Sequence, residues 1–566
     1  MSRAQANQQP KLLTNPGAVK RLVGWAIGLS VLTNILALVQ PMFMLLVYDN
    51  VLTSQSESTL FFLLMIALFL IGISAVLSHL RSKLMMDAGN EIDDQARDRV
   101  LLGALGESLR TGRNIHARFS GDLDTIRTFL SGGAAGALLD LPFSPLFLIA
   151  LLLLSPPIAL LVVVFGAIVF AAAVISDKSV RPWLEQSGEK LGKAQQTASN
   201  IVGASDAVRA MGFAGAARRK WVSETLEASK LQRLASERIN LSSEGVKGLR
   251  ITLQVLILAL SALLVLEGQL TPGSMIACSI IGARTLQPLD QVSAAWRQVA
   301  MARIAWGKLA LAAAEADRQD RPRTSLPTPT GAVGLQDVVV MTPSRPEPIL
   351  KRVSLEVPAG AFVGAIGPSG SGKSTMLKVL AGATPPLQGS VVYDGADVNL
   401  WALDTLGAYI GYFPQNPYLV SGTIAENIRR LGQRNDEATV AAAKAAGVHE
   451  MVLSFPNGYD TEVGDGGAAL SGGQKARIAL ARACYGDPNL FILDEPFAHL
   501  DNEGEKSLWA MIRSIRSRRK TLILATHRPS HLKGFDRVAL MQDGRLMRYG
   551  PVDDILRDLA PSPPAA

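Results

Sequence analysis

The chain has 566 residues, of which 48% are hydrophobic and 18% charged, and its mean hydropathy is +0.23. This length allows two or more domains, and the hydropathy excludes an ordinary soluble protein in favour of a chain that is partly embedded in a membrane. The net charge of +8 is spread along the chain rather than gathered in a basic stripe with interleaved aromatic residues, so we expect no nucleic-acid partner. With only Cys278 and Cys484, a disulfide framework is excluded as the basis of the fold.

Long uncharged stretches predict six membrane-spanning helices after a cytoplasmic N-terminal tail at 1–20. One stretch is divided by Pro156-Pro157, which predicts two helices joined by a tight turn. The last two spans are shorter and richer in small or polar side chains. The predicted spans are 22–47, 58–80, 141–155, 157–176, 251–266 and 268–284.

The charges of the connections orient these spans, because Lys and Arg accumulate in cytoplasmic loops. The three short connections carry no Lys or Arg and are expected to face outward. The two long connections, about 79–140 and 177–250, are rich in Arg and Lys and contain apolar residues at helical spacing. We expect them to be cytoplasmic extensions of the helices, with small independent soluble domains as the alternative. The membrane domain, 21–317, is followed by a linker at 318–330 with a Pro- and Thr-rich end.

From 331 to 566, short apolar runs alternate with helical segments, which is the pattern of an α/β domain. An apolar strand at 362–366 runs into GPSGSGKST and then into a helix, as a phosphate-binding loop requires. Its glycines let backbone N–H groups converge on a phosphate, Lys373 offsets charge on the β- and γ-phosphate oxygens, and Ser374 offers its hydroxyl to Mg²⁺. The predicted ATP-binding residues of this loop are Gly367, Pro368, Ser369, Gly370, Ser371, Gly372, Lys373, Ser374 and Thr375.

A second apolar strand, in LFILDEP, ends in two carboxylates. We expect Asp494, at the strand end, to hold Mg²⁺, and Glu495 to orient and deprotonate the water that attacks the γ-phosphate. A strand that merely ends in an acidic turn is the structural alternative.

A third motif, LSGGQ at 470–474, places a Ser and bare glycines at the start of a helix, which makes a second anion site. One ATP does not need two such sites from one chain. We therefore expect two copies of the domain to face each other head-to-tail, with each ATP held by both. The predicted ATP contacts of this motif are Ser471, Gly472, Gly473 and Gln474.

Together these motifs resemble the ATP-binding cassette family, in which the phosphate loop, the Gln of YFPQNPYL, LSGGQ, ILDEP and the His of LATHR follow in this order. The resemblance implies that Gln415 contacts Mg²⁺, the attacking water and ATP. It also implies that His527 contacts the γ-phosphate as a catalytic residue and that Asp501 lies at the dimer interface beside ATP. It also places Thr342 where an adenine-stacking tyrosine is usual, which leaves the way adenine is held open.

Six spans ahead of one cassette resemble an exporter half-transporter, and stretches such as VYDNVLTSQSESTL and LDLPFSPLFL resemble type I secretion ATPases of the metalloprotease-, lipase- and S-layer-exporting kind. This resemblance implies an ATP-hydrolysing, multi-pass protein of the bacterial inner membrane, with both termini and the cassette in the cytoplasm. It would export proteins with an uncleaved C-terminal signal; an exporter of lipids or small amphiphiles is the alternative. The short tail and the lack of a cysteine before Cys278 lead us to expect no N-terminal Cys-dependent peptidase. The implied partners are a second copy in a homodimer, a periplasmic adaptor (membrane fusion) protein, a TolC-like outer-membrane channel, the secreted substrate and the lipid bilayer.

Overall fold

The computed structural model describes residues 12–111, 116–319, 326–342, 347–401, 403–498 and 500–559. These residues form two compact units. We call 12–106 with 116–319 the membrane unit, and 107–111 with the described residues from 326 onward the cassette unit. The division falls near residue 320, inside the predicted linker at 318–330, of which 320–325 lie outside the described residues.

The membrane unit is built from helices. They are α1 (Pro16–Leu36), α2 (Val39–Leu46), α3 (Leu52–Ser54), α4 (Glu57–Thr111), α5 (His116–Ser131), α6 (Gly133–Asp140), α7 (Ser144–Leu154), α8 (Pro156–Gly203), α9 (Ser205–Ala210), α10 (Ala214–Leu266), α11 (Pro272–Ala294) and α12 (Trp296–Gln319). Helices α4, α8 and α10 have 55, 48 and 53 residues. At 1.5 Å per residue each is roughly 70–80 Å long, more than twice the ~30 Å of a hydrocarbon core. The uncharged stretches that predict spans two, four and five therefore mark only part of each helix, and the helices continue through the charged connections.

The first span differs from the prediction at both ends. Helix α1 begins at Pro16, inside the predicted tail, where proline suits the first helical turn because it has no N–H to leave unpaired. The helix is then interrupted at residues 37 and 38, since Pro41 cannot donate a hydrogen bond to the carbonyl of Ala37. After α2 a π-helical turn, Val47–Val51, ends the span beyond the predicted residue 47.

The predicted division of the third uncharged stretch is confirmed. Ser155 is extended, with φ −160° and ψ 105°, and α8 begins at Pro156. Ahead of it, the predicted span 141–155 is a 3₁₀ turn, Leu141–Phe143, followed by α7.

Five helical segments of the described chain are long and apolar enough to cross a membrane: Pro16–Ser54, Glu57–Leu109, Gly133–Leu154, Pro156–Gly203 and Ala214–Leu266. The predicted sixth span, 268–284, corresponds to α11, which begins at Pro272 and ends at Ala294 and is not among the five. The helix starts late because residues 268–271 form a turn whose last residue, Thr271, accepts a hydrogen bond from the Ser274 N–H (3.2 Å). Arg284 and Asp290 lower its hydropathy, so a sixth crossing stays a prediction.

The cassette unit has two sheets. Its strands are β1 (Val333–Val340), β2 (Leu350–Val357), β3 (Phe362–Ile366), β4 (Gln388–Tyr393), β5 (Ala396–Asp397), β6 (Ile410–Phe413), β7 (Leu490–Asp494), β8 (Thr521–Ala525), β9 (Arg537–Gln542) and β10 (Arg545–Pro551). Its helices are α13 (Lys373–Leu380), α14 (Leu403–Ala408), α15 (Ile424–Ile428), α16 (Asp436–Ala445), α17 (His449–Leu453), α18 (Gly472–Cys484), α19 (Asn502–Ser517) and α20 (Val552–Leu559). The larger sheet has the order β10-β9-β3-β8-β7-β6 and is parallel except for β10, and the smaller, antiparallel sheet has the order β2-β1-β4-β5.

The central strands of the larger sheet are buried along their whole length. Alternate residues belong to two hydrophobic clusters, with Phe362 and Phe491 in one and Val363 and Ile492 in the other. A strand covered on both faces has a continuous apolar sequence, as these do. The predicted membrane all-α domain followed by an α/β nucleotide-binding domain is therefore the observed architecture, and the loops that follow these strands start from a rigid frame.

Candidate functional site

Four neighbouring parallel strands, β3, β8, β7 and β6, end at one edge of the larger sheet. The phosphate loop follows β3 and His527 follows β8, while Asp494 ends β7, with Glu495 next in the chain, and Gln415 follows β6. Ligands of open α/β sheets bind outside the carboxyl ends of the strands. The sheet thus gathers residues that are far apart in the sequence into one place.

The phosphate loop requires glycine at two positions, its first residue and the residue before the lysine. Gly367 has a φ of 151°, and a Cβ there would lie 2.1 Å from the carbonyl oxygen of Met541. Gly372 has a φ of 99° and stands directly before Lys373, where α13 begins. Other residues adopt these conformations only with strain. The predicted strand–loop–helix context is present.

Lys373 lies inside the loop. Its buried side chain donates from Nζ to the carbonyl oxygens of Gly367 (2.9 Å) and Pro368 (3.0 Å), which keeps the ammonium next to the loop backbone. Ser371 Oγ is buried and has no hydrogen-bond partner among the described residues, so this hydroxyl can donate to a phosphate oxygen. Along the rest of the loop, Pro368, Ser369 and Gly370 are exposed and Thr375 is half-buried.

Asp494 is fully buried at the end of β7. Its Oδ1 accepts a hydrogen bond from Ser374 Oγ at 3.1 Å, whereas its Oδ2 is buried without a partner among the described residues. Burial raises the pKa of this carboxyl; the hydrogen bond from Ser374 opposes the rise, and the nearby charge of Glu495 adds to it. An ionised Asp494 at this position needs a cation to offset the cost of its burial.

This donor set fits Mg²⁺. Asp494, Ser374 and the amide oxygen of Gln415 are hard oxygen ligands of the kind the ion prefers. Among the described residues, here or elsewhere, no group of three or more His, Cys, Asp or Glu side chains could hold a metal ion. A magnesium ion at this edge would therefore take its remaining ligands from water and from the phosphates, which is its usual mode in nucleotide enzymes.

Glu495, Gln415 and His527 converge beside this carboxyl. Glu495 Oε2 accepts a hydrogen bond from Gln415 Nε2 at 3.4 Å and lies 4.0 Å from His527 Nδ1. The backbone of Glu495 is left-handed, with a φ of 48°, and its N–H donates to the carbonyl oxygen of Ala525 (3.1 Å). A left-handed glutamate is strained, and such strain is concentrated at functional sites. The side chain keeps 20% of its surface exposed, so water can reach it.

The LSGGQ motif lies on a different element, at the start of α18. Ser471 Oγ accepts a hydrogen bond from the Gln474 N–H (3.3 Å), and Gln474 Oε1 accepts one from the Ser471 N–H (2.9 Å). This reciprocal capping box satisfies two N–H groups of the helix terminus within the chain. Gly472 has open space around its Cα, so a ligand can approach the backbone there.

Asp501 caps α19 and also binds Arg477. Its Oδ1 accepts hydrogen bonds from the Gly504 N–H (2.9 Å) and from Arg477 Nη2 (2.5 Å). The hydrogen bond from Arg477, followed by that from Gly504, holds the pKa of this carboxyl below its usual range. The pair joins α18, which carries LSGGQ, to the start of α19. Our sequence analysis did not identify Arg477, whose role depends on how the two helices pack.

Thr342 occupies the position at which an adenine-stacking ring is expected. Thr342 follows β1 and is half-buried, and 343–346 lie outside the described residues. How adenine is held stays open.

Comparisons with known protein families match both units. The ABC transporter transmembrane region family matches residues 23–288, and the ABC transporter family matches residues 350–498.

Among curated proteins, the chain is 36% identical over 531 residues to the type I secretion system ATP-binding protein PrsD of Rhizobium meliloti (strain 1021), covering 93% of this chain and 91% of that one. It is 30% identical over 538 residues to the leukotoxin translocation ATP-binding protein LktB of Bibersteinia trehalosi, covering 94% of this chain and 75% of that one. Among solved structures, a bacterial Atm1-family ABC exporter with ATP bound superposes with a TM-score of 0.78 at 22% identity, over 95% of this chain and 97% of that one.

Proposed function

The chain belongs to the ATP-binding cassette transporters, among the exporters of type I secretion, and on that premise we propose that it hydrolyses ATP with Mg²⁺ to export proteins that carry an uncleaved C-terminal signal. The observation that carries the proposal is the 36% identity with a type I secretion ATP-binding protein across both units. The likeness to an Atm1-family exporter concerns the fold and does not favour the alternative of lipid or amphiphile export.

The site geometry supports a division of roles in hydrolysis. The loop backbone, Lys373 and the Ser371 hydroxyl hold the phosphates. Asp494, Ser374 and Gln415 hold Mg²⁺, which when bound neutralises charge on the phosphate oxygens. Glu495 accepts the proton of the attacking water, because it is the partly exposed carboxylate next to the fully buried one.

Two groups orient that carboxylate and the nucleotide. Gln415 donates a long hydrogen bond (3.4 Å) to the Oε2 atom of Glu495, which favours an orientation with the other carboxylate oxygen towards water. His527 is 60% exposed and lies within 4.0 Å of Glu495, so it can reach a γ-phosphate next to the attacking water. The contact of His527 with the γ-phosphate is the role that the family resemblance implies.

The placement of LSGGQ supports a homodimer with two ATP sites. The phosphate loop and Glu495 lie at the carboxyl edge of the sheet, whereas Ser471 and Gly472 stand at the start of α18 with open space beside them. A second copy of the cassette can present its LSGGQ segment to the phosphates held by the first, with Asp501 at the junction.

The assembly extends beyond the dimer. A periplasmic adaptor and an outer-membrane channel would receive the exported protein, so that it passes both membranes of a bacterial envelope. The chain itself would lie in the inner membrane with its cassette in the cytoplasm.

Deletion of the gene, with complementation, tests this function. We expect one or a few large proteins to disappear from the culture medium and to return with the wild-type gene or with Glu437→Gln, an exposed substitution on α16. Glu495→Gln should fail to restore them. An unchanged set of secreted proteins, together with an altered lipid composition of the outer membrane, would overturn protein export and favour the lipid alternative.

A further inference from the structure

The membrane unit contains a cavity of about 920 Å³ between α1, α4, the α5–α6 segment and α11. Half of its lining residues carry polar side chains, mostly amides and hydroxyls. Its amide side chains are those of Asn34, Gln40, Gln287, Gln291 and Gln298, and α4 contributes the hydroxyls of Ser74, Ser78 and Ser82.

Two of the three charged residues in the lining neutralise each other. Arg81 Nη1 lies 2.6 Å from Asp140 Oδ1, which also accepts a hydrogen bond from Asn34 Nδ2 (2.9 Å). A hydrogen bond from Arg81 Nη1 to Ser30 Oγ (3.2 Å) completes this network. The pair adds no net charge to the cavity.

The third charged residue, Arg284, has neutral hydrogen-bond partners. Its guanidinium donates to Gln287 Oε1 and to Gln40 Oε1, both at 3.4 Å, which are long hydrogen bonds to neutral groups. Within the described chain no carboxylate forms an ion pair with it. The cavity lining therefore carries one positive charge.

A charged arginine that lacks a carboxylate partner is energetically costly inside a membrane, and a residue kept at such a cost is a candidate for function. Arg284 comes twelve positions after Pro272, so it lies about 18 Å along α11 from the start of that helix. If α11 crosses a hydrocarbon core of ~30 Å from Pro272, this position lies inside the core, whereas the predicted span 268–284 places Arg284 at its end. Ionisable residues at such a depth face a cavity and mark the path of a substrate.

We propose that this cavity binds an extended, acidic segment of the exported polypeptide and that Arg284 binds its carboxylates. The inference rests on the proposed function. Each peptide unit offers a donor and an acceptor, which the amides and hydroxyls of the wall can satisfy whatever the sequence. An acyl chain would instead need apolar walls. Arg pairs with carboxylates through charge-assisted hydrogen bonds, so the site favours Glu and Asp over Gln and Asn.

Peptide binding to the full chain in nanodiscs of zwitterionic lipid tests the proposal. The probes are two fluorescein-labelled 16-residue peptides of Gly, Ser and Asn that carry either four Glu or four Gln residues, followed by fluorescence anisotropy at low salt. We expect the wild type to bind the Glu peptide about tenfold more tightly, the effect of one charge-assisted hydrogen-bonded pair. Arg284→Gln should reduce this preference to under about twofold, and Arg233→Gln, an exposed substitution on α10 outside the cavity, should leave it unchanged.

A second variant keeps the arginine. Gln287→Glu places a carboxylate beside Arg284, at the position of a present hydrogen-bond partner, and should abolish the preference by pairing with it. If the wild type binds both peptides equally, or if both Arg284→Gln and Gln287→Glu retain the preference, the proposal is wrong.

A last experiment adds anionic lipid to the nanodisc and asks whether it displaces the peptide. If phosphatidylglycerol in the nanodisc displaces the Glu peptide from the wild type, with no effect on Arg284→Gln, the site holds a lipid headgroup and the peptide proposal is overturned. The secretome experiment is independent of these measurements. Loss of secreted proteins on deletion with no peptide preference would refute the cavity proposal alone, whereas an unchanged secretome would refute protein export itself.

Discussion

The cassette and the membrane unit differ in how their polar residues are placed along the chain. In the cassette, Asp494, Glu495, Gln415 and His527 each end a buried strand or follow it within two residues. In the membrane unit, contacts such as Arg81 with Asp140 and Asp49 with Gly273 join residues 59 and 224 positions apart. The residues that we propose to act on one phosphate are placed by the sheet and leave short motifs. Groups that hold helices together leave none.

This difference predicts two kinds of mutational effect. Cassette substitutions should change the rate of hydrolysis by orders of magnitude with little change in folding. Membrane-unit substitutions should change helix stability or substrate preference by modest amounts.

The strongest test of the cassette side is Glu495→Gln. An amide cannot accept the water proton, so the rate of ATP hydrolysis should fall by about 10²- to 10⁴-fold, the usual contribution of a general base. ATP binding, measured by equilibrium dialysis of the purified chain, should persist because the loop and Lys373 are unchanged. The matched control is Glu437→Gln, and hydrolysis by Glu495→Gln at even a tenth of the wild-type rate would exclude Glu495 as the base.

Asp494→Asn separates catalysis from stability. We expect hydrolysis to fall at least about 100-fold because the magnesium ligand is lost. Without nucleotide and Mg²⁺ the variant should unfold at a higher temperature than the wild type, because Asn can still accept the Ser374 hydrogen bond but does not place a charge in a buried site. Thermal unfolding of the detergent-solubilised chain measures this, and a lower midpoint in nucleotide-free buffer would contradict it.

Much of the cassette could be predicted because its strands are apolar on both faces and its functional residues follow them. Arg477 could not be, since its bond to Asp501 depends on the packing of α18 against α19. The reciprocal capping of Ser471 and Gln474 was readable from the Ser-x-x-Gln spacing, but we assigned both residues to ATP alone.

In the membrane unit, hydropathy located the uncharged stretches but not the helices. Each of α4, α8 and α10 extends at one end from its uncharged stretch into charged sequence, because a helix in water needs only one apolar face. Arg284 counts against a span in a hydropathy average, yet it is the residue that gives the cavity its charge. What hydropathy treats as a defect is here a candidate for function.

On the membrane side, the largest expected effect on stability concerns Asp49. Its Oδ1 accepts a hydrogen bond from the Gly273 N–H (2.9 Å) and its Oδ2 one from Thr271 Oγ1 (2.6 Å), so it caps the start of α11 from the end of the first span. Asp49→Ala should cost about 1–2 kcal/mol, as loss of a helix cap does, and lower the unfolding midpoint by about 2–4 °C. Asp49→Asn, which keeps an acceptor, should cost less.

Glu267→Ala is the control for the Asp49 hydrogen bonds to the start of α11. Glu267 is exposed at the end of α10 and bonds the nearby Gln269, so its loss should shift the midpoint by under about 1 °C. Equal shifts for Asp49→Ala and Glu267→Ala would show that Asp49 does not hold α11.

Apart from the Glu267→Ala control, the smallest expected effect on folding is that of Asp501→Asn. Asn is as good a helix cap as Asp, and the ion pair with Arg477 is exposed on the carboxylate side, so the loss at neutral pH should be at most about 1 kcal/mol. Because the pKa of Asp501 is lowered in the fold, its contribution is present above the unfolded value of about 3.9 and is lost as the pH falls through the folded value. The difference between wild type and variant in the unfolding midpoint should therefore shrink between pH 7 and about pH 3.

If Asp501 also lies at the interface between two cassettes, hydrolysis at pH 7 should fall by more than tenfold despite this small loss. A rate that falls only in proportion to stability would restrict Asp501 to capping α19.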